Sequence, residues 1–206
     1  MMLRIWNESL TVLALAFLVA YSYPAFTSEI SPHTQIILDA VQWISWTAFA
    51  VDLIYGIVRA QSKRKYLKSH PLEIAAVVLP FLRPLRLLRI VSFGSLVIQK
   101  VAIGRSFGIT IRVFITTLFL TYIAAVQITL IERVAVNSNI KTFGDGFWWA
   151  ISTVTTVGYG DRFPTTTEGR FLAVGLMMLG ISLIGVISAT IAATFVKMMQ
   201  DDSKSV

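Results

Sequence analysis

The chain has 206 residues, of which 55% are hydrophobic and 14% are charged, and it carries a formal net charge of +7. In soluble domains about a quarter of the residues are charged, so this composition excludes an ordinary soluble protein and indicates a membrane protein. In a membrane protein, basic cytoplasmic loops explain the positive net charge better than nucleic-acid binding does. The sequence has no cysteine, which excludes disulfides and thiol redox chemistry.

Two apolar segments open the chain, and each provides the roughly 20 residues that a membrane helix needs. Residues 9–28 carry no charge, and residues 36–58 carry only Asp39 and Asp52. The first segment is longer than the apolar core of a signal peptide and lacks an Ala-x-Ala exit, so we predict a retained transmembrane helix. His33 lies in the loop between them without a second ligand at metal-binding spacing, and we interpret it as a solvated loop residue.

The loops predict how the chain is oriented in the membrane. Residues 59–68 contain five basic residues, so the positive-inside rule predicts that this loop is cytoplasmic, as it does for the loop with Lys100 and Arg105. The loop at residues 27–35 has no Lys or Arg and is predicted to lie outside. With an even number of helices, we predict that both termini of this cell-membrane protein lie in the cytoplasm. Residues 201–206 are predicted to form a short polar tail, and we expect no ligand-binding domain after the last helix.

Residues 72–99 are apolar but interrupted by prolines and charges, and we interpret them as two shorter helices joined by a tight turn. Arg83, Arg86 and Arg89 recur at every third position, which places them on one slowly winding stripe of a helix. Charged side chains in a membrane are costly and usually functional. The alternative is that these arginines extend to the interface from the start of a helix, which Pro84 would suit.

Two further apolar segments follow, at residues 113–131 and 171–196, and neither carries a charge. Between them lie residues 142–164, which we predict to form a re-entrant segment that does not cross the membrane. Non-helical backbone is tolerated at that depth only where it lines a water-filled pathway or is buried in protein. The predicted fold class is therefore an all-α membrane protein with six transmembrane helices, a re-entrant pore helix and a filter loop.

The re-entrant segment contains a filter sequence typical of potassium channels: Thr156, Val157, Gly158, Tyr159 and Gly160. Backbone carbonyls in such a run replace the water shell of a potassium ion, and the glycines allow the special dihedral angles that align these carbonyls. The hydroxyl of Thr156 can add a further oxygen at the inner end. The alternative is a β-turn with a chance Gly-x-Gly, which the match of all five residues in a membrane context disfavours.

Residues on both sides of the filter have predicted roles as well. Residues 147–155 are predicted to form a short pore helix whose C-terminal end, at Thr155, directs its negative dipole toward the cation. Asp161 lies just outside the filter, where a carboxylate would raise the local cation concentration. Trp148 and Trp149 are either interfacial residues, as membrane tryptophans usually are, or a packing collar around the filter, which their position favours.

The last helix is predicted to line the inner pore, and its glycines allow either close packing or bending. Gly180 lies near the middle of the uncharged run, so we predict that it is the gating hinge, with simple helix packing as the alternative. The other glycines of this segment are Gly169, Gly175 and Gly185.

Residues 142–196 resemble the pore domain of potassium channels, especially the prokaryotic voltage-gated ones. The resemblance rests on Phe147-Trp148-Trp149-Ala150, the filter with Asp161 and a following proline, and Gly180-Ile181-Ser182. It implies four subunits around one pore, with potassium bound by the carbonyls from Thr156 to Tyr159. One filter per chain agrees with this, because a four-fold carbonyl cage needs four copies.

The same resemblance implies two contacts that brace the filter. Trp148 would pair with Asp161, and Trp149 with Tyr159. At position 152, where other members carry glutamate or an aliphatic residue, this chain has Ser152. How this filter inactivates therefore does not follow from the resemblance.

The first half of the chain resembles a voltage-sensing domain. Phe49 and Asp52 match the family's Phe-x-x-acid pattern in the second helix, and Glu73 stands where the third helix of the family carries its aspartate. The resemblance implies that Asp52 and Glu73 hold one arginine at a time beneath the ring of Phe49, with the three arginines named above as gating charges. Typical sensors carry more arginines, so a degenerate, weakly voltage-sensitive and leak-like sensor is the alternative.

The predicted domains are a voltage-sensor-like domain at residues 1–99, a linker at 100–109, a pore domain at 110–200 and the tail at 201–206. We predict a homotetrameric, voltage-gated, potassium-selective channel in a lipid bilayer, with no enzymatic activity, no nucleic-acid partner and no cofactor beyond the permeant potassium ions. A potassium transporter subunit is the alternative from another class. Transporters of that kind usually hold four degraded filter repeats in one longer chain, whereas this chain has one complete repeat.

Overall fold

The structure, a computed structural model, describes residues 2–27, 29–60, 62–69, 74 and 105–204. These ranges contain six helices, numbered α1 to α6 in chain order. The chain divides into two compact units, Met1–Phe93 and Gly94–Val206. The voltage-sensor-like domain at residues 1–99, the linker at 100–109 and the pore domain at 110–200 stay predictions.

The first unit begins with two long helices, α1 (Met2–Phe26) and α2 (Pro32–Arg59), which pack against each other. The start of α2 follows from its sequence, because the side chain of Ser31 accepts a hydrogen bond from the backbone N–H of Thr34 at 3.2 Å and proline suits the first helical turn. Ala14 and Phe49 are buried and form a small apolar cluster in this unit.

A third helix, α3 (Lys63–Ser69), lies in the basic connecting segment, so these residues are helical where a loop was predicted. The cytoplasmic location of the segment stays a prediction. Lysine and arginine favour helices, and the hydroxyl of Ser62 accepts a hydrogen bond from the backbone N–H of Lys65 at the helix start. The ring of Tyr66 packs on Gly56 of α2, where any side chain would collide with the phenol. This contact ties the basic helix to the end of α2.

The second unit contains α4 (Arg105–Glu132), α5 (Phe143–Val154) and α6 (Thr167–Lys204), and each of these helices contacts the other two. Small residues permit the close approach, since a Cβ at Gly146 of α5 would lie 2.8 Å from the backbone oxygen of Ala125. The buried core consists of Ala124, Ala125, Ile128, Ile140, Trp149, Ala150, Val154, Ala173 and Leu176. This core fixes the short α5 against the two long helices.

Three of the described helices contain a stretch long and apolar enough to cross a membrane: Pro32–Arg59, Thr110–Glu132 and Thr167–Gln200. These stretches coincide with three of the predicted transmembrane segments. Val12–Phe26 of α1 is a shorter apolar stretch. Of residues 72–99, in which two helices are predicted, the structure describes only residue 74, so the six-helix layout stays a prediction.

Candidate ion-conduction site

The re-entrant segment begins with α5, which starts at Phe143 rather than at the predicted residue 147. The cause is a capping box. The Thr142 side chain accepts a hydrogen bond from the backbone N–H of Asp145 at 3.2 Å, and the Asp145 carboxylate accepts one from the backbone N–H of Thr142 at 3.0 Å. The sequence contains this signal as Thr-x-x-acid before an apolar run, so the earlier start was predictable.

The filter backbone is left-handed at alternate residues. The angle φ is 62° at Thr156, 57° at Gly158 and 79° at Gly160. The glycines adopt these angles without the steric penalty of a Cβ, whereas a β-branched residue such as Thr156 is strained there by about 1–3 kcal/mol. Such an alternation turns successive peptide planes to the same side, so consecutive carbonyl oxygens can face one pathway.

Hydrogen bonds to the last turn of α5 anchor the inner end of the filter. The backbone N–H of Thr156 donates to the carbonyl of Thr153, and that of Gly158 donates to the carbonyl of Ser152, each at 3.0 Å. Thr155 caps the C-terminus of α5. The negative end of the helix dipole therefore lies directly at the start of the filter, where it would favour a cation.

Trp148 supports the outer end of the filter. Its indole N–H donates to Oδ2 of Asp161 at 2.9 Å, which is the pair implied by the resemblance, and its ring stacks on Tyr159 with centroids 5.2 Å apart. Trp149 is 3% exposed and belongs to the core of the unit. Within one chain the ring that stacks on Tyr159 is thus Trp148, and the pair of Trp149 with Tyr159 stays a prediction for assembled chains.

A polar network surrounds the filter exit, and no motif in the sequence reveals it. Nδ2 of Asn139, in the loop before α5, donates to the backbone oxygen of Asp161 at 2.9 Å. The guanidinium of Arg162 forms an ion pair with Asp145 at 2.9 Å. These contacts join three segments that are separated in sequence: the loop after α4, the start of α5 and the residues just after the filter.

Asp145 is the anionic member of this network. Burial alone would raise the pKa of its carboxyl group, but hydrogen bonds from Thr142 and Lys141 and the positive charge of Arg162 lower that pKa below its ordinary value. The carboxylate is therefore ionised at neutral pH and is available both to cap α5 and to neutralise the arginine.

Glu132, the last residue of α4, has a structural role that was not anticipated. Its side chain is fully buried. Its carboxylate accepts hydrogen bonds from the backbone N–H groups of Thr165 and Thr166, at 3.0 and 2.9 Å, and from their hydroxyls, at 2.7 and 2.6 Å. These threonines directly precede α6, and the hydroxyl of Thr166 accepts a hydrogen bond from the backbone N–H of Gly169 in its first turn, at 3.0 Å. Glu132 therefore holds the residue that caps α6 and joins the start of that helix to the end of α4. The signal in the sequence is the position of Glu132, an acidic residue directly after the uncharged segment 113–131.

Gly180 lies where α6 passes the C-terminal end of α5. A Cβ at this position would collide with the carbonyl oxygen of Val154 and lie 3.0 Å from its carbonyl carbon. The helix α6 continues through Gly180 without interruption. The structure thus supplies the packing explanation that was the alternative in the sequence analysis, and a hinge at Gly180 stays a prediction.

The predicted sensor residues are described only in part. Phe49 is buried in α2, and Asp52 is half-buried one turn further along the same helix. The other predicted members lie outside the described residues: Glu73, Arg83, Arg86 and Arg89. The charge-transfer arrangement therefore stays a prediction.

Residues 120–197 match a protein family described as ion channels. This range holds the second half of α4, all of α5, the filter and most of α6. The matched range is thus the part of the chain that contains the filter and the helices on either side of it.

Individual relatives are named as potassium channels. A voltage-gated potassium channel of Aeropyrum pernix is 35% identical over 49% of this chain and 32% of its own length. The human potassium voltage-gated channel subfamily KQT member 4 is 34% identical over 42% of this chain and 12% of its own length. A hyperpolarization-activated voltage-gated potassium channel of Methanocaldococcus jannaschii is 28% identical over 85% of this chain and 90% of its own length.

The extent of these matches differs between relatives. The chain spans about a third or less of the first two relatives, whereas the third is similar over most of both chains. The resemblance to voltage-gated potassium channels that was predicted from the filter and its flanking residues is confirmed by these similarities.

Proposed function

We propose that this protein is a potassium-selective channel that lets potassium cross the membrane passively, down its electrochemical gradient. The observation that carries the proposal is the filter backbone, which is left-handed at Thr156, Gly158 and Gly160 within a sequence whose carbonyls suit dehydrated potassium. Potassium ions are the permeant occupants of this site, and the proposal includes no other cofactor and no covalent chemistry.

The proposed assembly is a homotetramer in the cell membrane with both termini in the cytoplasm. A ring of carbonyls needs several copies of the filter, and each chain contains one. In a single chain, the side chains of Val157 and Tyr159 are 56% and 66% exposed. Apolar and aromatic groups exposed beside a filter support contacts with neighbouring chains.

Voltage gating is the proposed form of control. It is supported by the arginine series and by the similarity over 85% of this chain to a relative named as hyperpolarization-activated and voltage-gated. If Arg86 and Arg89 are gating charges, changing both to glutamine should flatten the conductance–voltage curve. An unchanged slope in variants that still conduct would favour the alternative, a potassium channel with a weakly voltage-sensitive sensor.

Ion flux into liposomes tests the channel function. Purified wild-type protein should pass potassium much faster than sodium, and the flux should need no second, coupled ion. Gly158→Ala is the matched loss-of-function variant, because a Cβ meets no atom of the chain there but the residue must keep a φ of 57°. Potassium flux strictly coupled to another ion would favour the transporter alternative, and absent flux through folded protein would contradict the proposal.

A further inference from the structure

One side chain holds the filter exit from a distant part of the chain. Nδ2 of Asn139 donates to the backbone oxygen of Asp161 at 2.9 Å, and Oδ1 of the same amide accepts from the backbone N–H of Phe163 at 3.2 Å. The amide therefore bonds the backbone on both sides of Arg162. Two bonds of this kind fix the path of the chain directly beyond the last filter residue, Gly160.

Arg162 extends back from the filter exit to the loop and to the pore helix. Its Nη1 donates to the backbone oxygen of Asn139 at 2.6 Å, and its Nη2 pairs with Oδ1 of Asp145 at 2.9 Å. The other oxygen of Asp145 accepts hydrogen bonds from Lys141 and Thr142, so the carboxylate is itself held in place. Charge-assisted bonds to two separate anchors give the guanidinium a defined position.

On the side of the pore helix, the filter exit is held by Trp148 and not by Ser152. The buried hydroxyl of Ser152 donates to the carbonyl of Trp149 within α5, at 3.0 Å. The bond from α5 to Asp161 comes instead from the indole of Trp148. The backbone of the exit is bonded from the opposite side by Asn139, so the two sides hold different groups of the same short segment.

The ion pair also matters for the charge at the pore entrance. An unpaired arginine beside a cation pathway would repel incoming cations, and every subunit would add one such charge. The side chain of Arg162 is 39% exposed, and Asp145 lies 2.9 Å from it. Paired in this way, the two residues contribute no net charge at the entrance.

We propose that Asn139, Arg162 and Asp145 form an outer clamp, which positions the filter exit in its ion-binding conformation and neutralises the arginine beside the ion path. This inference rests on the proposed potassium-channel function. The three are positioning residues, since the ion's ligands in that function are the filter carbonyls.

Potassium-dependent stability tests the positioning role. An ion that binds the folded filter stabilises it, so the melting temperature should rise with potassium concentration. Asn139→Ala removes both bonds to the exit without changing charge, and Arg162→Gln removes the ion pair. Each should raise the potassium concentration at which the melting temperature begins to rise, which reports the apparent dissociation constant, by about threefold or more. Arg170→Gln, which removes the charge of an exposed arginine in the first turn of α6, should leave that concentration unchanged.

Single-channel conductance tests the role of the charge. Asp145→Asn leaves the charge of Arg162 without its carboxylate, so inward potassium current at low ionic strength should fall by about twofold and recover at high salt, where charges are screened. The double variant Asp145→Asn with Arg162→Gln should restore the conductance. It should not restore the potassium dependence of stability, because the clamp is still broken.

Wild-type potassium dependence in folded Asn139→Ala and Arg162→Gln tetramers would overturn the positioning role. Wild-type conductance of Asp145→Asn at low salt would overturn the role of the charge. If Arg162→Gln does not assemble, Arg162→Lys keeps the charge and one contact and should show an intermediate shift, whereas no shift would overturn the clamp. A wild-type protein with neither potassium current nor potassium-dependent stability would refute the channel function itself, which is a distinguishable result.

Discussion

Single residues of the filter adopt backbone angles that most side chains disfavour. The strain of about 1–3 kcal/mol at Thr156 is accepted because the surrounding bonds hold this conformation, including those from the N–H groups of Thr156 and Gly158 to the end of α5. The two glycine positions were predictable, since glycine is the residue that tolerates positive φ. The angle at Thr156 was not, because threonine gives no sign of it in the sequence.

Gly180 provides a test of packing against hinge bending. Gly180→Ala should lower the free energy of unfolding by about 1–3 kcal/mol, because the new methyl group overlaps the backbone of Val154. Gly185→Ala is the matched control, since nothing in the chain lies within 4 Å of a Cβ there. Thermal unfolding of both variants in detergent measures the difference. Equal stability, with altered channel opening only in Gly180→Ala, would favour the hinge.

The lowered pKa of Asp145 predicts how the stability of the folded protein depends on pH. Its pKa is lower in the folded protein, so its stabilising contribution is complete above the ordinary carboxyl pKa of about 3.9 and is lost only as the pH falls through the lower folded value. The melting temperature of Asp145→Asn should thus lie below that of wild type by a constant amount between about pH 8 and pH 5, and the gap should close only in stronger acid. A gap that closes between about pH 7 and pH 5 would mean that the pKa is raised.

At the scale of helices, long apolar runs predicted the position of the helices correctly, whereas the exact ends of the helices depend on polar capping residues. The long uncharged segments became α4 and α6, which extend beyond the predicted spans at both ends because helices continue into polar residues outside the apolar region. The start of α5 at Phe143 could be predicted from the capping box that Thr142 and Asp145 form. The helix α3 was missed because its charges were interpreted as a loop, although lysine and arginine are good helix formers.

The contact of Glu132 with the two threonines before α6 should contribute measurably to stability. Glu132→Gln keeps the shape of the side chain but removes its charge. Oε1, which accepts three of the four hydrogen bonds, can be retained, whereas the amide nitrogen that replaces Oε2 cannot accept the fourth. The free energy of unfolding should fall by about 2 kcal/mol or more, because three charge-assisted hydrogen bonds become neutral ones and the hydroxyl of Thr165 loses its acceptor. Glu168→Gln, at an exposed acid in the first turn of α6, should change it by about 0.5 kcal/mol at most. Comparable losses in the two variants would show that the contact of Glu132 contributes no more to stability than an exposed acid does.

At the scale of the whole molecule, the chemistry of the filter was predictable and its supporting contacts were not. The sequence from Thr156 to Gly160 is typical of potassium filters, so it predicts that backbone carbonyls of these residues bind potassium. Asn139 and Asp161 are 22 residues apart, and nothing in either residue type indicates that they meet. Long-range polar contacts of this kind depend on how α4, α5 and α6 pack, which a residue pattern does not specify.

The assembly follows from the single filter of each chain. Native mass spectrometry of the detergent-solubilised protein should show four chains, because one filter supplies only one side of a carbonyl ring. Cross-linking in the membrane, before solubilisation, is the control for dissociation in detergent. A monomer or dimer that still conducts potassium would contradict this assembly.

The reversal potential in a planar bilayer tests the central claim most directly. With potassium on one side and an equal concentration of sodium on the other, a channel that prefers potassium at least tenfold should reverse about 59 mV or more from zero. The filter carbonyls from Thr156 to Tyr159 provide the reason, since they replace the hydration shell of potassium better than that of sodium. A reversal potential near zero, measured on single channels of the wild-type protein, would contradict the account.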